Sequence, residues 1–372
     1  MSDRISQFLQ ERVDAGDFPS AVYLVAEKAQ IVFQGAVGHA VVDPQRIDAT
    51  SETIYDLASL TKPLITGLLA TKLIENGDIS ADDKIGDLLN EFYISGNAEI
   101  SVKELLTHTS GLPAWRPFYL LVEHPDEVLA EIAGTLSGDD QEPVTYSDLN
   151  FLTLQNVIER ILDDNFADIA DREIFSKLGL RKTFFNPLLS VDREAIAASE
   201  FGNAYEKNTC VELGFLKESD NAICFRNYQI WGEVHDGNAW FMGGVAGHAG
   251  LFSTAEEVFH IAKQFLPTYT KLLKPETAEI FRTNFTDGMN EDRSLGFQLA
   301  STDGSTAGTS MSPQSFGHNG FTGTSLWIDP VNDRVFILLT NRTHAHPLPF
   351  VNINSVRRRF HDLTIAELVK NS

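Results

Sequence analysis

The 372-residue chain is short of cysteine, of positive charge and of long apolar runs, and each shortage excludes something. Two cysteines, Cys210 and Cys224, cannot build a disulfide framework, and neither has metal-ligand spacing, so both read as structural thiols. No apolar run approaches the roughly 20 residues needed to span a bilayer. Against 52 Asp and Glu there are 29 Lys and Arg, a formal net charge of -23. That balance argues against nucleic acid or an anionic membrane as partner, since both need basic patches. The basic cluster Arg357-Arg358-Arg359 is expected on a solvated helix face. Residues 1–13 lack the basic start, apolar stretch and cleavage site of a secretory signal, so a cytoplasmic location is expected.

What is present starts with Ser59-Leu60-Thr61-Lys62, placed where strand-like sequence gives way to an apolar helical run. Leu64, Leu68, Leu69, Leu73 and Ile74 recur at helical spacing and Gly77 follows as a stop, which predicts a helix over 59–76. Pro63 in its first turn costs little, because a first-turn N–H has no partner in the helix. Side chains three apart share a face, so the Ser59 hydroxyl and the Lys62 ammonium can meet. A helix start also offers free N–H groups and partial positive charge for a developing oxyanion. The pattern suits acyl transfer with Ser59 as nucleophile.

Further along the chain, residues 4–15 read as an amphipathic helix, and 20–27 and 31–38 as an antiparallel hairpin. From 78 to about 226 helical periodicity dominates, over 102–107, 125–132, 149–162 and 167–178. A capping box at Ser253-Thr254-Ala255-Glu256 opens a helix to about Phe265. Strands return at 296–300, 324–328 and 334–340, and 351–370 reads as mostly helix. The expected class is therefore α+β: an antiparallel sheet flanked by helices and built from both ends of the chain. Residues 1–77 and 227–372 would form the discontinuous sheet domain, and 78–226 an inserted, mostly helical one.

A nucleophile needs a base and an oxyanion site. Tyr146-Ser147-Asp148 precedes the helix at 149–162, and an adjacent Lys62 would lower a tyrosine pKa toward usefulness. In Phe316-Gly317-His318-Asn319-Gly320-Phe321, the glycines allow close approach of substrate to backbone, and the Phe321 N–H can be the oxyanion donor beside that of Ser59. His318 can offer a hydrogen bond or partial positive charge to a substrate carboxylate or carbonyl.

These stretches, in this order, resemble the serine β-lactamase and penicillin-binding protein superfamily, specifically its class C-like esterase and peptidase branch. The family's S-x-x-K, Y-x-N and K-T-G or H-x-G motifs match Ser59 to Lys62, Tyr146 to Asp148, and His318 to Gly320. Residues 105–113 and 247–254 look like the same branch, with His108 and His248 as structural hydrogen-bonders. The resemblance implies a β-lactamase/transpeptidase-like fold and an acyl-enzyme on Ser59. Lys62 and Tyr146 would share the base role, the N–H groups of Ser59 and Phe321 would hold the oxyanion, and Asp148, His318, Asn319 and Gly320 would meet substrate. Neither metal nor organic cofactor is implied. Asp148 stands where the family usually has Asn, and His318 where true β-lactamases have Lys. Both departures point to small esters as substrates. The alternatives are D-amino-acid peptidase or weak class C-like β-lactamase activity, and a non-catalytic scaffold role.

Overall fold

The computed structural model describes residues 3–135, 142–217 and 224–371. Its centre is a seven-stranded antiparallel sheet of β1 (Ser20–Glu27), β2 (Gln30–Val41), β3 (Ile47–Asp48), β4 (Gln298–Leu299), β5 (Phe316–Asn319), β6 (Ser325–Asp329) and β7 (Arg334–Thr340), in the order β3-β2-β1-β7-β6-β5-β4. β1 and β7 pair in the middle, Ala21 opposite Thr340 through Glu27 opposite Arg334, so the two ends of the chain close one sheet.

Both faces of the central strands are apolar because both are covered. Tyr23, Val25, Trp327, Phe336 and Leu338 pack with Ile5 and Leu9 of α1 (Asp3–Asp14) on one face. Phe360 and Leu363 of the C-terminal helix, Asn354–Asn371, complete that layer. The alternate residues Val22, Leu24, Leu326, Ile337 and Leu339 join the larger core on the other face, together with Leu68, Leu69, Val258 and Ile261. A period of two along each strand thus sorts side chains between two layers. No helix among the described residues is long and apolar enough to cross a membrane.

The fold departs from the local reading in three places that matter for the site. The run expected as one helix from Ser59 is a 3-10 turn at Ala58–Leu60, a π turn at Lys62–Gly67 and then α2 (Leu68–Asn76), ended by Gly77 at φ +81°. Helical spacing in the sequence does not reveal that wider turn, a form that recurs at functional sites. Residues 316–319, read as a Gly-rich approach to a strand, are themselves strand β5. Gly317 hid it, because its lost side chain makes room for Trp327 on β6. Arg357, expected on a solvated face, is buried in the C-terminal helix, whose contact with residues 320–324 no local pattern announces.

Candidate active site

Ser59 stands at a bend. Before it, the Asp56 carboxylate accepts the N–H of Ala58 and of His235, each at 2.8 Å. Burial raises the Asp56 pKa against the pull of those donors. Ala58 adopts left-handed φ +48°, a conformation that costs a non-glycine residue about 1–2 kcal/mol and here turns Ser59 into the cleft.

Lys62 is fully buried below it and spends all three ammonium protons on fixed acceptors. Its Nζ donates to Ser59 Oγ at 3.0 Å and to the His248 carbonyl at 3.2 Å, and it lies 2.6 Å from Asp148 Oδ1. Burial alone would lower the Lys62 pKa, but the charges on Asp148 and Tyr146 outweigh it and hold the ammonium above its ordinary value. At neutral pH Lys62 is therefore a cation with no lone pair to offer.

Tyr146 closes the other side. The Lys62 ammonium sits 4.9 Å from its ring centroid, and the rings of His108 and His318 are at 4.6 and 5.6 Å. Burial raises the phenol pKa, and Lys62 and the Ser59 hydroxyl work against that rise. The hydroxyl makes no hydrogen bond of standard geometry among the described residues, so it is free to engage a reacting group. His108 Nδ1 accepts the Ser147 N–H at 3.0 Å, which anchors the Tyr146-Ser147-Asp148 corner at the start of the helix Asp148–Leu162.

His248 bonds Asp236 Oδ1 at 2.9 Å while its own carbonyl holds Lys62. Burial pushes the Asp236 pKa up, yet His248 beside it wins and keeps the carboxyl well below the usual range. Donor atoms of Asp148, Asp236 and His248 lie within 4.8 Å of one another, the one such group of possible metal ligands among the described residues. Lys62 and the His248–Asp236 bond already use those donors, and an ammonium 2.6 Å from Asp148 repels a dication, so the set fits a charge network better than a metal centre.

The segment between β5 and β6 forms the opposite wall. A Cβ at Gly320 would overlap the Thr324 hydroxyl and the Leu57 carbonyl, so only glycine fits. The hydroxyls of Thr322 and Thr324 donate to the carbonyls of Asp56 and Leu57 at 2.8 and 2.9 Å, stapling this wall to the Ser59 bend. Among the described residues, neither the Ser59 nor the Phe321 N–H is engaged in a hydrogen bond. Burial holds the His318 pKa well below its ordinary value, so the imidazole is neutral and brings no positive charge of its own. Its Nδ1 faces the Asn319 carbonyl at 2.9 Å, which leaves Nε2 as an acceptor. The Asn319 side chain is tied to Thr306 at 3.0 and 3.1 Å.

All eight residues singled out from the sequence except Lys62 line one cleft of about 550 Å³, and Lys62 lies beneath its floor. Sequence reasoning missed Arg293, Glu206, His235, Asp236, Arg342 and Arg357, which line it too. None sits in a catalytic motif, and Arg357 belongs to the basic cluster expected on a solvated face.

Glu206 illustrates what burial does there. It accepts Gly237 N–H at 2.7 Å and Tyr119 O–H at 3.0 Å. Burial, helped by the charge of Asp236, pushes its carboxyl from 4.5 up to about 7. The folded protein thus holds a proton that the unfolded chain releases. The stabilisation is fully present below about 4.5 and is lost as pH rises through about 7. Glu206→Gln is expected to be more stable than the parent at pH 8 by about 1–3 kcal/mol, with the gap closed at pH 4.5. Urea unfolding at the two pH values measures this; an equal difference at both would refute it.

A family model described as Beta-lactamase matches residues 5–357. The chain is 32% identical over 377 residues to a protein of Escherichia coli K12 described as "Putative D-alanyl-D-alanine carboxypeptidase", covering 92% of this chain and 82% of that one. Among solved structures, it is similar to "EstCE1, a hydrolase with promiscuous acyltransferase activity" at TM-score 0.73 and 19% identity, covering 97% and 98% of the two chains. It is also similar to a class C beta lactamase from Rhodobacter sphaeroides at TM-score 0.71 and 18% identity, covering 98% and 99%. The two structural likenesses concern the fold.

Proposed function

Because this chain belongs to the beta-lactamase family of serine hydrolases, we propose that it forms an acyl-enzyme on Ser59 and hydrolyses small carboxylic esters. The observation that carries the reading is the Ser59 Oγ to Lys62 Nζ contact at 3.0 Å, on the floor of a cleft that also holds Tyr146 and two free N–H groups. Ser59 attacks the carbonyl carbon and its proton passes to the Tyr146 oxygen in its phenolate form, a form that the neighbouring Lys62 charge favours against burial. The oxyanion forms against the N–H groups of Ser59 and Phe321, and Tyr146 returns the proton to the leaving oxygen. Water then attacks the acyl carbon, its proton passes to Tyr146, and Ser59 is regenerated. Asp148, His318, Asn319 and Gly320 act as the substrate-facing set. The same reading divides the chain into a sheet domain, 1–77 and 227–372, and a helical domain, 78–226, with the cleft between them.

Esters fit a third motif whose His318 is neutral, since no permanent charge there demands a substrate carboxylate. One observation favours a second reading, a carboxypeptidase acting on D-amino-acid peptides. Arg293 is 4% exposed and lines the cleft, and its Nε and Nη1 have no partner among the described residues. A guanidinium with free N–H groups fits a carboxylate. Arg293→Gln is expected to raise KM for an N-acyl-D-alanyl-D-alanine about tenfold and to leave kcat/KM for p-nitrophenyl butyrate within about twofold. Steady-state kinetics on both substrates test this. An equal effect on the two removes the carboxylate role, and turnover of the peptide ahead of the ester rejects the ester reading.

A further inference from the structure

Arg357 sits inside the protein, 6% exposed, on the C-terminal helix that covers the far face of the sheet. Among the described residues its hydrogen bonds all go to uncharged acceptors: Nη2 to the carbonyls of Gly320 and Thr324, each at 2.9 Å, and Nη1 to Asn354 Oδ1 at 2.9 Å. No carboxylate is among them. Burying a cation without a counter-charge costs several kcal/mol, and a surface position would avoid that cost. Burial, with Arg342 nearby, brings the Arg357 pKa down to about 9.

The acceptors suggest what the arginine does. Gly320 and Phe321 share one trans peptide, in which the carbonyl and the N–H point in opposite directions and cannot rotate independently. Fixing the Gly320 oxygen on the Arg357 side therefore aims the Phe321 N–H the other way. A second arginine holds the next peptide, with Arg342 Nε donating to the Phe321 carbonyl at 2.7 Å. Gly320 N–H and Gly323 N–H close the turn onto Thr324 O and Gly320 O at 2.8 and 3.1 Å. The Phe321 N–H is thereby left without an acceptor among the described residues, on a segment that lines the cleft.

We propose that Arg357 is a positioning residue of the oxyanion site: its grip on the Gly320 carbonyl orients and polarises the peptide whose N–H belongs to Phe321. A cation at the oxygen end draws electron density along the amide and strengthens the N–H as donor. Because the peptide is held before reaction, little reorganisation is needed when the oxyanion forms. This rests on the reading of Ser59 as nucleophile and Phe321 as oxyanion donor.

The test uses Arg357→Gln and Arg357→Lys in the full chain, with Arg358→Gln as control. Among the described residues Arg358 hydrogen-bonds only the Gly304 carbonyl, at 3.3 Å, on the exposed side. The readouts are kcat and KM for p-nitrophenyl butyrate and the affinity of phenylboronic acid, which forms a tetrahedral adduct on a serine oxygen. Arg357→Gln is expected to lose about 10²-fold in kcat with KM within about threefold, and to lose boronate affinity in parallel. Arg357→Lys should lose about tenfold, since one ammonium cannot span three acceptors, and Arg358→Gln should match the parent. A folded Arg357→Gln with unchanged kcat and boronate affinity overturns the proposal, as does a loss confined to KM. Where Arg357→Gln does not fold, Arg357→Lys decides: kcat and boronate affinity equal to the parent overturn it, and a parallel loss in both supports it. Mass spectrometry of the fluorophosphonate-treated parent separates the two levels. An unlabelled Ser59 removes the underlying reading, whereas a labelled Ser59 beside an unaffected Arg357→Gln removes this inference alone.

Discussion

Replacing Ser59 with alanine is expected to lower kcat/KM for p-nitrophenyl butyrate by about 10⁴-fold or more and to abolish labelling by a fluorophosphonate. Without the hydroxyl no acyl-enzyme forms. What remains is the oxyanion site and substrate binding, which by themselves still accelerate attack by water. The change should be silent for folding: Ser59 is only partly buried, and its side-chain oxygen serves Lys62, which keeps the His248 carbonyl and Asp148 as partners. A urea midpoint close to that of the parent would separate lost chemistry from lost structure. Labelling of another residue in the variant, with turnover retained, would move the nucleophile elsewhere.

Lys62→Met is expected to reduce kcat by about 10³-fold across pH 6–9. The size of the loss depends on which group receives the Ser59 proton. Lys62 is held as an ammonium, chiefly by Asp148 acting against burial, and all its protons are committed. It works through its charge: burial raises the Tyr146 pKa, and Lys62 is the main force opposing that rise. Methionine keeps most of the volume and removes the charge, so the Tyr146 phenol becomes harder to ionise and the pair loses its base. Raising the pH to 9 should restore little, because the tyrosine pKa moves further up. Fold stability should fall modestly, as the Asp148 side chain is 16% exposed and can recover water. A pH–rate profile checks both points. A loss below tenfold, or full recovery by pH 9, would show that the lysine charge is dispensable.

The site became legible in the sequence where its chemistry is local. Ser59 and Lys62 declare themselves by a spacing that brings them to one face, and the 3.0 Å contact follows from it whether the turn that carries Ser59 is α or 3-10. The hairpin over residues 20–41 and the strand at 334–340 are equally local, because alternation of apolar residues fixes which face each side chain takes. Strand β5 fails that criterion: Gly317 removes a side chain from a four-residue pattern, and the reason for that glycine, Trp327, lies on the next strand.

The sequence by itself thus determined the α+β class, the Ser59 and Lys62 pair proposed as nucleophile and partner, and the three motifs that meet around them. Only the tertiary structure decided the charges. Lys62 is a held cation because Asp148 and the His248 carbonyl converge on it from two other segments. His318 is neutral because the fold buries it, and the Glu206 pKa is pushed up to about 7 because the fold buries it with Asp236 nearby. Arg357, one of three basic residues expected on a solvated face, instead holds the turn at 320–324 through the Gly320 and Thr324 carbonyls. Spacing along a chain settles which neighbours share a face. Protonation depends on burial and on every charge within a few ångströms, most of which come from segments distant in sequence.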